Sequence, residues 1–162
     1  MKKEITTHLL FALPYLLLVM IFNRYFFLGV WPLFLGGIIG TILPYADHFI
    51  YVYYLAPQEL SSQRVMSYLK QKQLWPALET MVHTSHERSS LIFHTLLFNA
   101  VIAILAFYVV TSSGSLFGTG IVLAFYLHLV VDMLEHYLTD RQNYPGRVML
   151  LANSIALLLL AL

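Results

Sequence analysis

Gly120-Ile-Val-Leu-Ala-Phe-Tyr-Leu-His128-Leu-Val-Val-Asp132-Met-Leu-Glu135-His136-Tyr-Leu138 decides how the rest of this chain is read. It is an apolar run of nearly membrane-span length that carries two histidines and two carboxylates. Helical spacing puts His128, Asp132 and His136 on one stripe, with about 6 Å of rise between members. Such groups are expensive inside a bilayer and tend to mark a function. A His–Asp–His stripe can ligate one metal ion through adjacent members, or bridge two ions through the carboxylate. Glu135 points off the stripe, where it suits a general base or a partner behind the ligands.

Other runs share this character. Ile5–Phe22, Tyr25–Leu43, Leu91–Thr111 and Val148–Leu162 are all apolar. A bilayer core takes roughly 20 such residues in a helix, so the last run is short. The expected fold is therefore an all-α, polytopic transmembrane bundle with about five membrane helices plus short interfacial helices. Composition agrees: of 162 residues, 59% are hydrophobic and 10% charged, against about a quarter charged in soluble domains. That excludes a soluble enzyme and a disordered chain. The near-neutral net charge of +1 argues against a nucleic-acid partner. There is no cysteine but there are seven histidines, so any metal is held by nitrogen and oxygen.

The basic residues set an orientation. With the N-terminus in the cytoplasm, Lys2, Lys3, Arg64, Lys70, Lys72, Arg88, Arg141 and Arg147 lie inside and only Arg24 lies outside. The start Met1-Lys2-Lys3-Glu4 imitates a signal peptide, but no small-x-small cleavage site follows, and the run reads as a retained helix. This topology brings His8, Asp47, His48, His94, Asp132 and His136 toward one membrane level at the inner face, from four separate segments. His128 lies deeper. His8, Asp47, His48, His94, His128, Asp132 and His136 are the candidate metal ligands, with helix capping and ion pairing as the competing roles.

Residues 1–162 read as a single membrane domain, with residues 45–90 a cytoplasmic or interfacial insert. Within the insert, 61–73 is a short basic helix and Pro76 opens another. Gly36, Gly37 and Gly40 make a small-residue patch suited to close helix packing. His83 and His86 are a possible ligand pair or a polar helix end. Arg88 can clamp a phosphate or carboxylate, or pair with Asp47 or Glu87.

Three pieces, in order, carry a family resemblance: Thr7-His8-Leu9-Leu10-Phe11; Gly40-Thr-Ile-Leu43-Pro44-Tyr45-Ala46-Asp47-His48; and Leu127-His128-Leu-Val-Val-Asp132. The sequence resembles the YdjM-like family of bacterial membrane-bound metal-dependent hydrolases, from Thr7 to Asp140. Tyr45 stands where that family has the first Asp of its L-P-D-x-D-H motif. Its H-R-G-x-T-H segment survives only as Arg88 and Phe93-His94, with His86 as a candidate for the first histidine. The family is similar in ligand pattern to zinc-dependent phospholipase C and P1-type nuclease.

The resemblance implies a hydrolase in the bacterial inner membrane, bound to a divalent ion of the zinc type. Its substrate would be a phosphoester or lipid headgroup and its nucleophile a metal-activated water. On this reading Asp47 or Glu135 accepts a proton and Arg88 stabilises the developing charge. The lipid bilayer is the expected partner. Two other classes are open: a metal-ion or proton transporter that uses the stripe as a pathway, and a non-catalytic membrane scaffold with a structural metal site.

Overall fold

The computed structural model describes residues 2–25, 28–84, 91–139 and 146–162, and no strand occurs among them. Eight α-helices follow in order: α1 (Lys2–Phe22), α2 (Trp31–Ile42), α3 (Ala46–Ile50), α4 (Leu60–Lys70), α5 (Leu74–His83), α6 (Leu96–Ser112), α7 (Leu116–Thr139) and α8 (Arg147–Ala161). A 3-10 turn, Leu43–Tyr45, joins α2 to α3, and a π-helical turn, Tyr51–Leu55, follows α3.

α2 and α7 form the centre of the bundle. A Cβ at Gly36 would strike the Phe117 carbonyl, one at Gly40 the Ile121 carbonyl, and one at Gly120 the Leu33 carbonyl. Only glycine lets two backbones approach this closely. The pairing 36 with 117 and 40 with 121 means that the two helices run in the same direction. The glycine patch is thus a packing device, and Gly120 is its counterpart on α7. Gly37 faces the Leu16 side chain, which seats α1 on the pair.

Two hydroxyls tie α8 in. Tyr15 donates to the Leu157 carbonyl at 3.0 Å, and Tyr126 donates to Asn153 Oδ1 at 2.6 Å. The core they cross includes Leu16, Val19, Leu33, Ile102, Leu123 and Leu129. Large apolar residues face outward on several helices, including Leu10, Ile38, Ile104, Phe107, Leu151 and Leu158. α4 and α5 form a hairpin with a core of its own, where Val65, Ala77 and Met81 close on Val52 of the π-helical turn.

The expectation of about five membrane helices is overturned. Among the described residues, two helical runs, Trp31–Leu55 and Leu116–Thr139, are long and apolar enough to cross a membrane, by length and composition. Thr6–Phe22, Leu96–Ser112 and Arg147–Ala161 are shorter apolar helices. At about 1.5 Å per residue, α6 and α8, with 17 and 15 residues, fall short of a hydrocarbon core about 30 Å thick, as does the apolar Thr6–Phe22 part of α1. The third sequence run loses its first turn because the backbone at Ile92 and Phe93 bonds to Asp47 instead of extending the helix. The second run gains length at the other end. Pro44 occupies the start of the 3-10 turn, where its missing N–H costs little. The helical path therefore passes through Pro44 to Leu55 rather than stopping at Leu43.

Candidate metal centre

Four segments, three of them helical, deliver polar side chains to one end of the α2–α7 pair. His8 comes from the first turns of α1, and Asp47 from the short helix after Pro44. His94 comes from the non-helical stretch before α6, and His128 and Asp132 come from α7.

Asp132 is the hub. His8 Nε2 lies 2.8 Å from Asp132 Oδ1. His94 Nε2 lies 2.9 Å from Oδ2, and His128 Nε2 lies 3.3 Å from the same oxygen. The rings of His8 and His128 stack, with centroids 3.8 Å apart and planes 16° from parallel. His8 and His128 are buried at 4% exposure each, whereas the side chains of Asp132 and His94 are 19% and 27% exposed. The cluster is closed from behind and open over His94 and Asp132.

One nitrogen from His8, one from His128 and one oxygen from Asp132 lie within 4.8 Å of one another, a group able to chelate a metal ion. Donors about 2.05 Å from a tetrahedral ion stand roughly 3.3 Å apart. His8 Nε2 stands 2.8 Å from Oδ1 and His128 Nε2 3.3 Å from Oδ2, while the three donors together spread over up to 4.8 Å, so an ion would draw the wider-set donors inward. Two imidazoles and a carboxylate are also the ligand type of hydrolytic zinc sites that keep a fourth position open. The donor set fits. The outer side is less complete, because His128 Nδ1 is buried without a hydrogen-bond partner, and ligating histidines ordinarily anchor that second nitrogen.

Asp47 is fully buried and turns toward backbone. Its Oδ1 accepts the Ile92 N–H at 3.0 Å and its Oδ2 the Phe93 N–H at 2.7 Å. His94 Nδ1 stands 3.4 Å from Oδ2. Asp47 thus shapes the turn that presents His94, and His94 bridges the two carboxylates. Burial alone would lower the His94 pKa. The hydrogen bonds and charges of Asp132 and Asp47 outweigh that and raise it to about 9.

The remaining expected residues stand apart from this group. His48 is half-buried, with its ring 6.4 Å from that of Tyr45. His136 is exposed, and its Nδ1 bonds back to the Asp132 carbonyl at 2.8 Å. Glu135 is exposed. Arg88 and His86 lie outside the described residues, and His83 is exposed on α5 near Glu79. The stripe on α7 thus contributes its first two members to the cluster.

The sequence treated Tyr45 only as a departure from a motif. In the fold it walls the site, with its ring edge-on to His128 at 5.1 Å and to His8 at 6.4 Å. Its position one residue after Pro44, on the path to Asp47, is the signal that could have found it. Comparison with protein-family models, curated proteins and solved structures gave no match.

Proposed function

We propose that this chain is a membrane-resident, metal-dependent hydrolase. One observation carries the reading: a buried His8–His128–Asp132 group, drawn from two helices and able to hold a divalent ion, has its carboxylate side partly open. The belt of outward leucine, isoleucine and phenylalanine supports residence in a bilayer. The excess of Lys and Arg in the segments that the sequence assigns to one side supports a cytoplasmic N-terminus and the bacterial inner membrane. The likeness of its motifs to the YdjM-like family supplies the reaction class, with a phosphoester or lipid headgroup as substrate.

His8, His128 and Asp132 would hold the ion, and zinc suits the donor set. When bound, the ion supplies Lewis-acid polarisation to a substrate oxygen. His94 borders the open side, held toward Asp132 by Asp47, where it is placed to hold or release a proton for a bound substrate. Tyr45 and the stacked rings exclude water from the rear of the site.

A second reading rests on a specific observation. Asp132 already contacts three imidazoles, and His128 Nδ1 is buried without a hydrogen-bond partner. A metal-free ion-pair node that staples α1, α7 and the His94 turn has the same geometry. Metal analysis of the gently purified chain separates the two. The hydrolase reading expects about one equivalent of zinc or a similar ion, lost in Asp132→Ala, and metal-dependent cleavage of a chromogenic phosphodiester. Metal content that is negligible, or unchanged in a His128→Ala/Asp132→Ala variant, rejects it.

A further inference from the structure

The helical run Trp31–Leu55 has 25 residues. At about 1.5 Å each it reaches about 37 Å, past a hydrocarbon core about 30 Å thick. Trp31 at one end and Tyr53 and Tyr54 at the other are exposed, as interfacial anchors are. The turn Tyr51–Leu55 therefore stands at headgroup level when the run crosses a bilayer. The α4–α5 hairpin packs on that turn through Val52.

The tip of the hairpin is a fixed turn. The Lys72 N–H donates to the Leu69 carbonyl at 3.0 Å, and the Gln73 N–H to the Tyr68 carbonyl at 2.9 Å. These are the paired bonds of a Schellman cap. They hold Lys72 in the left-handed region, at φ 58°, where glycine is usual and a side chain is strained. A lysine kept there against that strain points to a use for its charge. Next along the chain, Leu74 and Trp75 open α5 and are 66% and 54% exposed. From Leu60 to Leu78 the charged residues are Arg64, Lys70 and Lys72, with no acid. Glu59, just before, accepts from the Tyr51 hydroxyl at 2.8 Å. Glu79, just after, stands 4.0 Å from His83.

We propose that the tip of the α4–α5 hairpin docks on an anionic lipid surface, with Leu74 and Trp75 entering the headgroup layer and Lys70 and Lys72 meeting lipid phosphates. The proposal rests on the membrane residence proposed above and is independent of the metal site. The apolar pair supplies insertion. The lysines supply preference for an anionic over a zwitterionic surface, about five-fold each in the ratio of docked to free tip.

The chain has two tryptophans, so Trp31→Phe leaves Trp75 as the only indole. The full chain is reconstituted in vesicles of phosphatidylcholine alone or mixed with phosphatidylglycerol, each with and without brominated phosphatidylcholine as quencher. Trp75 should be quenched more, and emit at shorter wavelength, when phosphatidylglycerol is present. Salt at about 1 M, where the screening length is about 3 Å, should remove the difference. So should Lys70→Gln/Lys72→Gln. Lys72→Gly separates charge from structure, since it should raise the melting temperature by relieving the turn and still weaken docking about five-fold. Should Trp31→Phe not fold, the difference between the natural chain and Trp75→Phe gives the same reading. Trp75 left unquenched in both lipids, as on a surface meant for an acidic protein, would overturn the proposal. Equal quenching in both lipids, or a full phosphatidylglycerol response in the double lysine variant, would also overturn it. Release of the chain from cell membranes by alkaline carbonate would reject membrane residence separately. The released chain, added to preformed vesicles, then gives the same Trp75 reading of the tip.

Discussion

The two halves of α7 meet their neighbours by opposite means. Around Gly120 the helix lies against α2 backbone to backbone, with no side chain between them. Two turns later, at His128, the Tyr45 and His8 rings occupy the space around it. The first half gains from close approach, and any added atom is an intrusion. The second half gains from spacing, because imidazole and carboxylate need room to converge. Firm packing at the glycine half lets the polar half hold a partly open cluster without collapsing.

Substitutions can break this contrast. Gly120→Leu should do most damage, since the new side chain meets the Leu33 carbonyl rather than a flexible neighbour. Loss of about 4 kcal/mol or more is expected, read as failure to recover a monodisperse, cooperatively melting protein. A Gly120→Leu protein with an ordinary melting curve would show that the close approach is not needed.

Asp132→Asn acts on the other half. It keeps the shape but leaves His8, His94 and His128 without their shared anion. In chelator-treated protein it should cost about 2–4 kcal/mol and, in metal-replete protein, abolish metal retention. Thermal melting with and without chelator reads both effects, and an unchanged melt in both conditions would dissociate Asp132 from the cluster.

The pH dependence of the metal-free protein sharpens the picture at His94. Its folded pKa, about 9, lies above the ordinary 6.5. The positive charge therefore stabilises the fold fully below about 6.5, and this contribution is lost as pH rises through 9. The melting temperature should fall across that window and His94→Gln should flatten the fall. An equal fall in His94→Gln would place the titration elsewhere.

The smallest change is expected for Tyr126→Phe, which removes the 2.6 Å bond to Asn153. About 1 kcal/mol of stability should be lost, with metal binding untouched. A loss of metal with this variant would mean that the two halves of α7 are coupled through α8.

Much of the site was legible in the linear chain. His128 and Asp132 share a helix face because four residues make about one turn, and that relation survives any packing. The same rule carried His136 too far, because a side chain near the end of a helix can bond to its own backbone instead. Asp47 was legible as important but not as a backbone acceptor, since its partners at Ile92 and Phe93 are 45 and 46 residues away. Hydropathy found the apolar runs. It overcounted the spans because it is blind to a turn unwound by a distant carboxylate, and it ended the second run too early because it is blind to a proline accommodated by a 3-10 turn.

The sequence by itself determined that this chain is helical and apolar, that it has no thiolate to offer a metal, and that His128 and Asp132 face one way. Those properties follow from composition and from the local helical repeat. Long-range packing alone set His8 on His128, placed His94 between Asp47 and Asp132, and left two runs of membrane-spanning length among the described residues rather than five. Each of these depends on contacts between residues far apart in the chain, and no local repeat encodes such a distance.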